Sequence, residues 1–459
     1  MSLLIKGGKV VFGGGTKESD ILVKGDTIAA VGTGLEDREA EVIDARGKYV
    51  LPGAIDVHTH MQLPFGGTVS ADDFANGTKA AAFGGVTTII DFAIQAKGET
   101  LKETVAKRRA EADGKVYIDY GLHVAVTDLT DDVMAEIPSI IESGCPSFKL
   151  FMTYQGLAVD DGTLYFALKT ASEAGGMVGV HAENMTLIDR MINKLLAEGK
   201  TAPMYHEVSR PVIAEAEAVS RAIMLAGDTG SRLYIFHLSS GAGLEKIRAA
   251  REKGSPVFAE TCPQYLLLSR ENYREPGFRG ARYVMSPPLR GKEDQDALWA
   301  GLADGTLQAV GSDHCPFRTE QKKLGESAFN KIPNGAPGVE TILPLLYSEG
   351  VGKGRLKLER LVEAVSTGPA RLFGLYPRKG AVLPGSDADL VILDPDKEVA
   401  LSSETLHMNV DYTPYEGFKV KGYPVVTVSR GKVVCKYGEF YGRRGDGKFI
   451  SRGRIDGKL

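Results

Sequence analysis

The sequence predicts an α/β protein, a (β/α)8 TIM-like barrel with a second small β-sandwich domain built from both chain ends. Three observations carry this. Eight short apolar runs, at 54–58, 87–92, 116–123, 145–150, 177–181, 233–237, 257–261 and 309–313, occupy the middle of the chain, with amphipathic stretches such as 72–82, 101–112, 164–173 and 244–253 between them. Parallel strands need long, usually helical, crossovers, so this alternation favours a closed parallel barrel. Both chain ends have another texture, short strands broken by turns. Finally, histidines gather at the ends of the central runs.

Residues 1–52 read as strands at 3–5, 9–12, 20–23, 27–31 and 41–43, separated by Gly-rich turns. The far end offers an apolar strand at 389–393 and a hairpin of 424–429 with 432–435, turning at Arg430-Gly431. The expected division is therefore 1–52 as the N-terminal part of the sandwich, 53–375 as the catalytic barrel, and 376–459 as the C-terminal part of the sandwich plus a tail. No internal repeat or low-complexity segment is evident.

Composition sets limits on function. At 459 residues the chain exceeds one ordinary core. Hydrophobic residues at 43% and charged residues at 25% suit a soluble globular protein. A net charge of −4 argues against a dedicated nucleic-acid binder. The basic stretch 443–458 also contains Asp446 and Asp456, and reads as a solvated tail or a subunit contact. Cys145, Cys262, Cys315 and Cys435 have no paired spacing, so neither a disulfide framework nor a cysteine zinc site is expected. No apolar run reaches the roughly 18 residues of a membrane helix, and the first 12 residues lack a secretory pattern. A cytoplasmic protein without membrane or nucleic-acid partners is the expectation.

The most informative feature is Val57-His58-Thr59-His60. Alternate strand residues share a face, so His58 and His60 project together as half of a metal site. Barrel enzymes place chemistry at the C-terminal strand ends. Those ends carry His58, His60, Lys149, His181, His237 and Asp313, including four of the chain's eight histidines. Any one of them reads equally as a core residue satisfied by a carbonyl; the layer as a whole does not.

Charge counting refines this. Four neutral imidazoles and one carboxylate suffice for one divalent cation, but two cations would leave an excess of about three positive charges in a shielded site. Burial lowers a lysine pKa, and a neutral Lys149 amine can add CO2 to give an anionic carbamate able to bridge two metals. With that carbamate and a bridging hydroxide the excess falls to about one. The bland alternative makes Lys149 an electrostatic anchor or a partner for a substrate anion. His123 reads as pocket or core, and His314 as pointing away from the site in a supporting role. His206 and His407 read as sitting in polar surroundings with no catalytic part.

The ordered segments VHTH, SFKLFMTY, VHAEN, IFHLSS, MSPPLR, SDHCPF, IPNGAPGVE and GSDADLVILDP resemble the dihydropyrimidinase/D-hydantoinase family, cyclic amidohydrolases of the amidohydrolase superfamily, over nearly the whole chain. The resemblance implies two Zn2+ per chain, bridged by N6-carboxylated Lys149 and a hydroxide. It places His58, His60 and Asp313 on one metal and His181 and His237 on the other. Tyr154 would stabilise the oxyanion, and Ser286 and Asn334 would hold the ring's amide. Without the family, Tyr154 reads as a pocket wall, and Ser286-Pro287 and Asn334-Gly335 as turns.

The implied reaction is zinc-dependent hydrolysis of 5,6-dihydropyrimidines or 5-substituted hydantoins to N-carbamoyl amino acids, with Asp313 as general base and acid. The family also implies a homotetramer. Dihydroorotases carry an arginine where this chain has Gln62, and an amide cannot form the bidentate carboxylate clamp. Leu63 to Gly67 form an apolar edge suited to uncharged or aromatic ring substituents. Allantoinase is another cyclic amidohydrolase alternative. A non-catalytic dihydropyrimidinase-related scaffold is disfavoured by the retained ligand set, and a mononuclear deaminase by Lys149.

Overall fold

The protein is described here by a computed structural model covering residues 2–12 and 14–455. Eight parallel strands pair in sequence order: Ala54–Thr59, Val86–Ile94, Asp119–Ala125, Ser147–Phe151, Met177–His181, Leu233–Ile235, Val257–Thr261 and Ala309–Val310. The last meets the first through the backbone of His314, whose N–H donates to His58 O (3.3 Å) and whose carbonyl accepts from His60 N (2.8 Å). The barrel anticipated from the alternating pattern is thus formed.

Two strands stop short of expectation, the sixth at Ile235 and the eighth at Val310. The reason is local: His237 and Asp313 adopt positive φ (38° and 51°), which ends a strand. The third strand begins at Asp119 because Val116 is occupied with Gly445 and Gly447. Helices cover the outside. Leu101–Ala112 carries a Thr100/Glu103 capping box, and Phe74–Phe83 starts after Asp73, whose carboxylate accepts from Asn76 N at 2.7 Å.

Inside the barrel Ile55, Val57, Ile90, Phe92, Met177, Tyr234, Phe236 and Phe258 form one apolar cluster. Small residues make room for large ones: a Cβ on Gly179 would lie 2.2 Å from the Phe236 ring.

The two chain ends build a nine-stranded sheet around a separate core that includes Ile5, Val10, Ile21, Val50, Ile392 and Val426. They join where Tyr49–Pro52 pairs antiparallel with Leu390–Ala400, Val50 opposite Ile392. By hydrogen bonding the expected sandwich is a single sheet. Strand Ser2–Phe12 bends at Gly7 (φ +65°), so its two halves pair in turn with Glu41–Asp44 and Tyr49–Pro52. The hairpin turns at Arg430 and Gly431, both with positive φ.

The C-terminal stretch is not a solvated tail. Residues 447–455 run beneath the N-terminal ends of the strands, where Ile450 N donates to Tyr120 O (2.8 Å), Arg452 N to Gly144 O (3.2 Å) and Ile455 N to Gly175 O (2.8 Å). Ile450 and Ile455 join the barrel's interior cluster, so apolar burial outweighs the solvation of the stretch's charges. Asp456 and Lys458 lie outside the described residues. Among the described residues no helix is long and apolar enough to cross a membrane.

One buried ion cluster ties the sheet to the barrel. Lys379 Nζ lies 2.7 Å from Asp119 on the third barrel strand, 3.2 Å from Asp387, and also contacts Asp389. The three carboxylates could themselves hold a cation, but the ammonium occupies that position. Lys379→Met would leave three buried carboxylates facing one another, and should cost about 3–5 kcal/mol. The expected result is a clear fall in the thermal unfolding midpoint; an unchanged midpoint would show that the cluster contributes nothing net.

Candidate metal centre

At the C-terminal mouth of the barrel lies a cleft open to solvent. His58, His60, Lys149, Tyr154, His181, His237, Ser286, Asp313 and Asn334 all line it. The chain places them by departing from regular strand geometry. Ile55 and Val57 face the barrel interior, so strict alternation would turn His58 outward. A break in register between Asp56 and Thr59 reverses the parity, and His58 faces the cleft. Thr59 points away and binds Asp91 at 2.9 Å. Of six non-glycine residues with positive φ among the described residues, Gln62, Tyr154, His237 and Asp313 lie at or beside this cleft. Such backbone strain is characteristic of functional positions.

His58 Nε2 lies 3.2 Å from His60 Nε2 and from Asp313 Oδ1, and His60 Nε2 lies 3.3 Å from the same oxygen. These three side chains converge closely enough to share one ion. Gly311 allows the approach, since a Cβ there would sit 2.9 Å from the Cβ of His58. Beside the trio, His181 and His237 are in ring contact, their centroids 4.4 Å apart. They form no three-residue cluster with another His, Cys, Asp or Glu among the described residues, so a second ion there needs a further ligand. Lys149 is the neighbour available on the cleft wall.

Burial controls the charge state of the set. It pushes His58 and His237 well below the usual imidazole range and lowers His181, leaving neutral rings with lone pairs to donate. The Asp313 carboxyl is also buried, yet the imidazoles of His58 and His60 hold it below the ordinary carboxylate range. Lys149 is enclosed by Phe92, Phe151 and Phe236, its Nζ 3.8 Å from the Phe236 ring centre. Burial brings its amine down to about 7, with Glu260 and Asp313 acting in opposition. The Tyr154 hydroxyl is pushed up to about 12 by burial, against the Arg210 guanidinium 5.6 Å from its ring, so it remains a donor.

Two carboxylates absent from the sequence reading orient these ligands. Glu260, fully buried on the seventh strand, makes a short contact with His58 Nδ1 and accepts from His237 N (3.1 Å) and Tyr234 Oη (2.9 Å). This contact fixes the His58 tautomer and leaves Nε2 free for a cation. Glu183 lies 2.7 Å from His181 Nε2 and 2.6 Å from Arg210 Nη1. Each had a faint signal: Glu183 stands two residues after His181, and Glu260 is a lone acid in an apolar run.

The remaining histidines separate cleanly. His123 is buried below the cleft, donating from Nε2 to Val57 O (3.0 Å) and accepting from Ser147 Oγ at Nδ1 (2.7 Å). His314 turns away from the ligands, its ring between Asp72 (3.1 Å) and the Gly338 N–H (3.1 Å). His206 departs from expectation, being buried and donating to Met285 O at 2.8 Å. His407 stacks on Phe83 and pairs with Glu340 (2.7 Å).

Replacing Glu260 with Gln keeps its volume but removes the acceptor strength that orients His58. Outer carboxylates of this kind are worth about 10–100-fold in metal affinity. Glu260→Gln should therefore lose divalent metal to a competing chelator about 10–100-fold more readily than the parent chain; equal retention would remove Glu260 from the ligand-orienting role.

Residues 49–434 match the amidohydrolase family. The chain is 50% identical to the D-hydantoinase of Geobacillus stearothermophilus over 99% of its own length and 97% of that protein's. It is 46% identical to the D-hydantoinase of Streptomyces coelicolor, covering 98% and 97% respectively. The crystal structure of dihydropyrimidinase from Brevibacillus agri superposes with a TM-score of 0.98 at 47% identity, covering 99% of each chain. Together with the cleft they establish that this chain belongs to the amidohydrolase family, in its hydantoinase and dihydropyrimidinase branch of cyclic amide hydrolases.

Proposed function

We propose that the chain is a zinc-dependent hydrolase that opens the cyclic amide bond of 5,6-dihydropyrimidines or 5-substituted hydantoins to give N-carbamoyl amino acids. The observation that carries this reading is the convergence of His58, His60 and Asp313 beside His181, His237 and Lys149 in one cleft. The donor set suits two ions. His58, His60 and Asp313 would hold one, His181 and His237 the other, and Lys149 carboxylated at Nζ would bridge them. When bound, the pair supplies an activated water as nucleophile at neutral pH and Lewis acidity toward the ring carbonyl.

This chain's residues do the rest. A neutral Lys149 amine condenses with CO2, forming an N–C bond and releasing a proton to give the carbamate. Asp313 takes a proton at Oδ from the attacking water and delivers it to the leaving ring nitrogen. The Tyr154 hydroxyl donates to the oxygen as it gains negative charge. Ser286 and Asn334 hold the ring by its other amide, and Leu63, Phe65, Phe151 and Leu157 line the side open to an uncharged or aromatic substituent. A homotetramer belongs to the same reading, supported by Phe166, Ile213 and Met224, exposed on the neighbouring helices Asp161–Glu173 and Val212–Thr229. A monomeric mass by light scattering would overturn it.

The deciding experiment measures zinc content together with opening of dihydrouracil and 5-phenylhydantoin, before and after chelation. About two zinc ions per chain, with activity lost on chelation and recovered with zinc plus bicarbonate, is the expected outcome. A chain that binds no metal and opens neither ring would leave the scaffold reading. Burial lowers the folded Lys149 pKa to about 7, so its reactive neutral form is depleted as pH falls below that value. Recovery with bicarbonate should accordingly slow below pH 7, and a pH-independent recovery would count against carboxylation. Tyr154→Phe should lose roughly 10²–10³ in kcat while keeping its metal; unchanged turnover would remove the hydroxyl from the mechanism.

A further inference from the structure

Lys322 is buried, 1% exposed, at the end of the short helix Thr319–Lys322. Its Nζ donates to three backbone carbonyls, Val284 O (2.9 Å), Pro333 O (2.7 Å) and Gly335 O (2.7 Å). No carboxylate is paired with it among the described residues; the three carbonyls and the Phe317 ring, 5.6 Å from Nζ, surround the amine, which burial brings down to about 7. The placement of those carbonyls is specific. Val284 stands two residues before Ser286, and Pro333 and Gly335 flank Asn334. Among the described residues, the main-chain N–H and C=O of Ser286 and Asn334 make no hydrogen bond within the protein. Their side chains bond each other, Asn334 Nδ2 to Ser286 Oγ at 3.1 Å.

We propose that Lys322 is a positioning residue which, by gathering these three carbonyls, holds the main chains of Ser286 and Asn334 as one rigid edge for the uncleaved amide of a cyclic substrate. The inference rests on the cyclic amide reading above and adds a residue to it. An ammonium is suited to the task because it offers three donors from a single point. An apolar side chain would fill the volume but leave the Pro333 and Gly335 carbonyls without a donor, and Val284 O with the Gly335 N–H alone. The same edge is braced elsewhere: Gly335 N donates to Val284 O (3.0 Å), and His206 holds Met285 O. Gly335 itself, at φ +143°, is confined because a Cβ there would lie 2.3 Å from Cys315 O. Ser286 and Asn334, their main-chain donors and acceptors unengaged by the protein, thus line the cleft on a loop pair that has little room to shift. They complement a ring that presents both N–H and C=O on its intact side.

The test compares dihydrouracil with glutarimide, which keeps the scissile imide but lacks the second ring N–H. Each is followed as substrate or competitive inhibitor of the zinc enzyme and of its Lys322→Met and Lys322→Gln variants. In Lys322→Met the KM for dihydrouracil should rise about tenfold, the scale of a lost hydrogen bond, with kcat and zinc content little changed. Glutarimide should lose less, so the preference between the rings narrows, and Lys322→Gln, with its amide donor, should fall between. An unchanged KM, or equal losses on both rings, would overturn the proposal. Failure of both variants to fold would make Lys322 purely structural and overturn it too. A parent chain that opens neither ring would fail the underlying reading itself, an outcome distinguishable from an active parent with an indifferent Lys322.

Discussion

The backbone of His314 does two jobs with one pair of hydrogen bonds. Lying between His58 and His60, it closes the eighth strand onto the first. The same contact brings Asp313, the preceding residue, within 3.3 Å of both imidazoles. Closing the barrel and bringing His58, His60 and Asp313 together are therefore one event. Asp56 reinforces it from below, accepting from Ser312 N (3.0 Å) and His58 N (3.1 Å) and so locking the two strand ends together. A change that loosens this seam disturbs the fold and the ligand geometry at once.

Around the seam, burial sets protonation and hydrogen bonds set direction. Dehydration keeps the imidazoles of His58, His181 and His237 neutral, brings Lys149 near neutrality and keeps Tyr154 protonated. Left alone, neutral rings could point either nitrogen at the cleft. Glu260 and Glu183 remove that freedom by engaging one nitrogen each of His58 and His181. The reactive set is thus governed by a desolvated environment and oriented by a few buried carboxylates.

Much of this was legible in the chain. The fifth and seventh strands fall at the residues their apolar runs indicated, and Leu101–Ala112 matches its amphipathic pattern. The nine singled-out cleft residues do line one cavity. Periodicity could not give the parity reversal at His58 or the strained turns at His237 and Asp313, because alternation assumes unbroken strands. His206 read as polar because Glu207, Ser209 and Arg210 follow it in sequence, whereas in space it is buried. Lys322 was invisible for a similar reason: its partners are backbone carbonyls, which carry no residue-type signal.

The strap formed by residues 447–455 has a consequence for synthesis. It supplies interior side chains to a barrel whose first strand begins at Ala54, nearly 400 residues earlier in order of translation. Until that segment leaves the ribosome, the interior contacts of Ile450 and Ile455 are unmade. The terminal sheet has the same dependence, since Tyr49–Pro52 waits for Leu390–Ala400. A chain with contacts of such sequence separation folds slowly and late. Its nascent form therefore leaves these apolar contacts unmade for most of elongation.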